Sequence, residues 1–122
     1  MRRYIDFTPY FFNDGPDDNY NKGNTNFVRI YEIFKRFVPQ ALDILKQNNT
    51  KDADSAIINL NKSERLIKSR DTYAGDYLQS ASDVINRLVR NNSDTMSPSD
   101  TQVLKKSSRM IEALASNIFN TR

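Results

Sequence analysis

At 122 residues, with 38% apolar and 27% charged residues, the chain has the length and balance of one globular domain rather than a fibre or a membrane span. It has no Cys and no His, which excludes disulfides, thiol catalysis, most zinc chemistry and the commonest general base. The net charge of +3 comes from 18 basic and 15 acidic residues spread almost evenly along the chain, whereas domains that live on DNA usually concentrate their cations on one face or segment.

The first segment, Met1 to Phe12, carries Tyr4, Ile5, Phe7, Tyr10, Phe11 and Phe12 behind Arg2 and Arg3. Pro9 lacks a backbone donor and holds Thr8 out of helical geometry, so this segment is expected to be an extended aromatic arm. Residues 13 to 26 are nearly all turn formers and hold two of the three Gly, Gly15 and Gly23, which reads as a linker. The chain is therefore divided into an arm and linker, 1–24, and a helical domain, 25–122. Asp17, Asn19 and Asn21 match the first three ligand positions of a calcium loop. Lys22 stands where that loop needs Gly, and Val28 where it needs a bidentate Glu, so turn formation is expected instead. No metal and no cofactor is expected.

From Asn26 the apolar spacing becomes helical: Phe27, Ile30, Tyr31, Phe34, Phe37, Val38, Ala41, Leu42 and Leu45 recur at three- and four-residue steps. Pro39 either kinks this helix or divides it into one ending at Phe37 and another beginning at Pro39. Asn48, Asn49 and Thr50 close it. A second helix is expected from Asp52 or Asp54, capped by Asp52, through Ala56, Ile57, Leu60, Glu64 and Ile67. A break is expected near Asp71. Ala74, Tyr77, Leu78, Ala81, Val84, Ile85 and Leu88 then form a stripe ending at Asn91 and Asn92. The last helix has a strong start signal, with Ser97 as cap, Pro98 at the first position and Asp100 in the first turn. Its stripe is Val103, Leu104, Ser107, Met110, Ile111, Leu114, Ala115, Ile118 and Phe119. The fold class expected is all-α, an antiparallel bundle of three to four helices with an extended aromatic N-terminal arm.

Five aromatic residues in the first twelve need a surface to dock on, because each ring carries about 150–250 Å² of mostly apolar area. They either fold back over their own bundle or cross to a neighbouring chain, with the linker as hinge. Base stacking by these rings is a third use, although stacking platforms usually sit on a rigid sheet or groove. Eight of the twelve residues from Phe27 to Val38 are apolar, more than one buried face requires, which again suggests contact from two sides. A membrane-surface helix fits less well, since its polar stripe is narrow and mixed in sign. The contact residues expected are Tyr4, Phe7, Tyr10, Phe11 and Phe12 as anchors, with Phe27, Tyr31 and Phe34 as the receiving surface.

Lys62, Arg65, Lys68 and Arg70 form the densest basic cluster, and Lys105, Lys106 and Arg109, with Arg87 and Arg90, are its candidate neighbours across the bundle. If these faces converge they offer phosphates a positive strip. They also read as solvated helix faces, since Glu32, Glu64 and Asp83 each stand four residues before a cation, Arg36, Lys68 and Arg87.

Catalysis has little footing. There is no glycine-rich phosphate loop, and Glu32, Glu64 and Glu112 fall on separate predicted helices. The Asn-x-Ser/Thr triplets at Asn48, Asn61 and Asn91 carry no weight in a chain with 14 Asn and no leader pattern. The expected role is a non-catalytic subunit or adaptor of a larger assembly, of the kind common in phage and virus particles, working in the cytoplasm or in a virion or host cytoplasm. Self-association or another protein partner follows from that. The alternatives are a nucleic-acid-binding accessory protein and a small inhibitor of another protein.

Overall fold

Apolar residues at three- and four-residue steps wind into four helices among the described residues, 25–92 and 94–121 of a computed structural model. The arm with Tyr4, Phe7, Tyr10, Phe11 and Phe12, the linker, and the loop of Asp17, Asn19 and Asn21 lie outside the described residues. The helices are α1 (Phe27–Asn48), α2 (Lys51–Lys68), α3 (Ala74–Asn92) and α4 (Pro98–Thr121). Each packs on its neighbour in sequence, and α1 closes the ring against α4. The short connections reverse the chain each time, giving the antiparallel bundle expected.

Cross-helix contacts fix the direction. Asp52 meets Arg87, and Lys62 lies over Tyr77, both pairs symmetric about the turn at Ser69 and Arg70. Thr25 at the start of α1 bonds Thr121 at the end of α4 at 2.7 Å. One end of the bundle therefore gathers the start of α1, the end of α2, the start of α3 and the end of α4.

The core is aliphatic, with Ile30, Leu45, Leu60, Ile67, Leu78, Ile85, Leu88, Leu104, Met110, Ile111, Leu114 and Ile118 fully buried. The stripes read from the sequence face inward, joined by small residues that periodicity underweights. Ser82 and Ser108 are buried where α3 meets α4, their hydroxyls 2.9 Å apart, and Ser108 also donates to Asn86 Oδ1 at 2.7 Å. Gly75 is a close approach: a Cβ there would stand 2.8 Å from Phe119 Cε1.

Helix ends show why the boundaries fall where they do. Asn26 Oδ1 accepts from the Arg29 amide, and Ser97 Oγ from the Asp100 amide, as the sequence suggests for α4. For α2 the cap is Thr50, whose hydroxyl accepts from Ala53 N at 3.1 Å, and not Asp52. Only Asn49 and Thr50 separate α1 from α2, so residues that close one helix also start the next. Asp52 is thereby free to pair with Arg87 at 3.1 Å. The expected Asp83–Arg87 pair gives way to this inter-helix bridge, and Asp52, with a lesser contribution from Asp83, holds the Arg87 guanidinium above its ordinary pKa. Pro39 lies inside α1 on its exposed side, and the helix is not divided there.

The break near Asp71 is a complete C-terminal motif. Asp71 N bonds Leu66 O at 2.8 Å and Arg70 N bonds Ile67 O at 3.1 Å, with Arg70 left-handed at φ 60°. Asp71 Oδ1 then accepts from Tyr73 N at 2.9 Å and starts the turn into α3.

Candidate binding surface

The last turns of α2 present Lys62, Arg65 and Lys68 at three-residue steps, a row that crosses the outer face of the helix obliquely. Each end of the row meets a tyrosine from a different neighbour. Lys62 Nζ lies 5.2 Å from the centre of the Tyr77 ring of α3, and Lys68 Nζ 5.5 Å from the Tyr31 ring of α1. Lys35 approaches the same Tyr31 ring at 4.9 Å. Such contacts hold a cation against the electron-rich ring face and are worth about 0.5–1 kcal/mol at exposed sites. Arg65, between them, is exposed and makes no ion pair among the described residues.

Two clefts open on this surface. Lys62, Arg65, Leu66, Tyr73 and Tyr77 line one of about 340 Å³, and Phe27, Val28, Tyr31, Ile67, Lys68 and Arg70 line the other, about 180 Å³. Tyr73 is 64% exposed and Val28 60%, so apolar area remains in water beside four cations. Negative charge is present too. Glu64 accepts from Tyr31 Oη at 3.4 Å and pairs with Lys68 at 3.8 Å, while Asp71 is engaged in its own turn.

The structure thus brings Lys62, Arg65, Lys68 and Arg70 together at one end, with Phe27 and Tyr31 beside them. It does not bring in Lys105, Lys106 and Arg109. These lie in the first half of α4, which packs chiefly on α1 and α3. The end of the bundle that holds the row receives instead the last turns of α4, Phe119 and Thr121. Arg87 and Arg90 sit at the far end of α3, level with the start of α2. The convergent strip considered from the sequence therefore splits into separate groups. Phe34, read as part of a receiving surface, is 3% exposed and belongs to the core. Of the solvated pairs, Glu64–Lys68 forms as spaced.

Tyr73 and Tyr77 were not visible as site residues from spacing alone. Folding α2 and α3 about the Ser69–Arg70 turn puts Leu66 beside Tyr73 and Lys62 beside Tyr77, and only a fixed turn position reveals that register.

The chain matches no protein-family model, and no curated protein or solved structure matches it. Among the described residues no three of His, Cys, Asp and Glu come together, and no helix is long and apolar enough to cross a membrane.

Proposed function

We propose that the chain is a non-catalytic interaction protein, a helical subunit or adaptor of a larger assembly, whose working surface is the end of the bundle where α1 starts and α2 finishes. The observation that carries this reading is the partly exposed apolar group at the start of α1. Phe27, Val28 and Tyr31 line an open cleft with Ile67, directly after residues 1–24 join the bundle. Rings that become fully desolvated in a partner's pocket are the usual anchors of protein interfaces. Tyr4, Phe7, Tyr10, Phe11 and Phe12 supply further anchors in the same stretch of chain. In this reading the protein works in a cytoplasm or a virus particle.

The test is the solution mass of the full chain beside a version lacking Met1 to Asn24, by light scattering at low and high salt, with circular dichroism to check that both are helical. A defined oligomer or complex that the truncation reduces to a helical monomer is expected. It should persist in high salt, because burial of rings is not screened. The full-length Val28→Asp variant, altered at an exposed position, is expected to weaken the association without unfolding the bundle. If full chain and truncation are both monomers, assembly through this segment is wrong. A nucleic-acid accessory role is the second reading, favoured by the row of cations capped by tyrosines on α2.

A further inference from the structure

We infer that the oblique row of Lys62, Arg65 and Lys68, with Tyr73 beside it, binds single-stranded nucleic acid. The inference builds on the second reading above and narrows it to one strand, one helix and one end of the bundle.

Two features favour a strand over other anionic partners, and a third adds charge beside them. The first is length. Lys62 to Lys68 spans about 9 Å along the helix at about 1.5 Å per residue, enough for two or three phosphates and too short for a duplex site that neutralises six to ten of them. The second is the exposed ring. Tyr73 is 64% exposed and lines the same cleft as Lys62 and Arg65, so a base can stack on it while its phosphates meet the cations, the combination that single-strand sites use. An acidic peptide offers the charge without the flat face.

The third is Arg70. It occupies the left-handed C-terminal position of α2, at φ 60°, where glycine is favoured and a side chain is strained. Arg70 lines the neighbouring cleft with Lys68, so a charged residue is present where the backbone alone would prefer glycine. Neither stacking nor phosphate pairing reads the 2′ position of the sugar, so DNA and RNA strands should bind alike.

The experiment is fluorescence anisotropy of a labelled twelve-residue oligo(dT), oligo(U) and a twelve-pair duplex with the full chain. Both strands should bind more tightly than the duplex. For two or three phosphates, the slope of log affinity against log salt should lie near −1.4 to −2.1, at about −0.7 for each one neutralised. Arg65→Glu is expected to weaken binding about tenfold and make the slope shallower by roughly one phosphate's share. Tyr73→Ala should weaken it at least about fivefold, the lower bound for losing one stacked base. Both positions are exposed, and circular dichroism of each variant confirms the fold.

Lys105→Glu with Lys106→Glu, which makes the same kind of charge change on α4, should leave affinity within about twofold, allowing for screening over the distance between the groups. Poly-glutamate of equal charge should compete poorly. The inference is overturned if neither strand binds, if the duplex binds as well as the strands, or if poly-glutamate displaces them at equal charge. It is also overturned if Arg65→Glu or Tyr73→Ala has no effect, or if the α4 variant weakens binding as much as Arg65→Glu does. The assembly reading is measured separately by solution mass, so loss of strand binding with the oligomer intact sinks this inference and leaves assembly standing, while duplex binding without strand binding leaves the broader nucleic-acid reading standing.

Discussion

Replacing Arg70 by Gly separates what this position does for the fold from what it does on the surface. Arg70 closes the C-terminal motif of α2 at φ 60°, with its amide bonded to Ile67 O and the Asp71 amide to Leu66 O. A side chain in this conformation costs about 1–2 kcal/mol, because Cβ crowds the following carbonyl. Glycine removes that cost but loses about 0.5–1 kcal/mol through the greater freedom of its unfolded chain. Both hydrogen bonds are made by backbone atoms and survive the substitution. The net expectation is a gain of about 0–1.5 kcal/mol, centred near 0.75. In urea, with a slope of about 1–3 kcal/mol/M for a domain of this size, the central gain raises the midpoint by about 0.25–0.75 M at constant slope. Denaturation followed by helical circular dichroism measures it. The same variant should bind oligo(dT) less tightly, so stability and affinity move in opposite directions. A lower midpoint would refute the reasoning, since it would mean that the arginine side chain holds the turn through the cleft it lines with Phe27, Val28 and Tyr31.

Three further outcomes are expected. Pro39→Ala on the exposed side of α1 restores a missing backbone donor and should stabilise the bundle by about 1–3 kcal/mol, read as a higher urea midpoint; no change would mean that a bend at this point is needed for packing. Thr50→Ala should cost about 0.5–2 kcal/mol as loss of the α2 cap, whereas Asp52→Ala should cost only about 0–1 kcal/mol as loss of an exposed bridge to Arg87, and the reverse order in the same urea titration would put the cap at Asp52. At the buried hydroxyl pair, Ser108→Ala alone should cost about 0.5–1.5 kcal/mol, while the double change with Ser82→Ala should be nearly neutral, and a double-mutant cycle without coupling would contradict the bond between them.

Several surface residues take on a different role in the fold from the one their place in the chain suggests. Lys62, Arg65, Lys68 and Arg70 stand close in sequence, and a helix keeps them close in space. Lys105, Lys106 and Arg109 look equally suited in the sequence, yet the ring order of the helices puts α4 next to α1 and α3 and leaves them outside this group. Phe34 and Tyr31 share one helix and one aromatic character. Which of them goes into the core and which stays at its edge depends on how α1 is rotated against α2 and α4, and neighbouring stripes decide that rotation. Arg87 had a local partner at Asp83 and found a better one at Asp52, because folding back α3 on α2 brings a bidentate geometry that no single helix offers.

Local chemistry, then, is determined by the sequence itself: four apolar stripes with a period near 3.6, the cap at Ser97, the break near Asp71 and the cationic run on α2. These are contacts within a few residues, where spacing alone says who meets whom. Tertiary structure decided the rest. It left Pro39 inside one helix, gave the α2 cap to Thr50, buried Ser82 against Ser108, and set Tyr31 and Tyr77 at the two ends of the lysine and arginine row. The serine pair and the cation–ring contacts join residues 15 to 37 positions apart in different elements, and they do so only through the turn register and the rotation of each helix. Both are set by how the buried side chains interlock across the whole core, where no single residue holds the information.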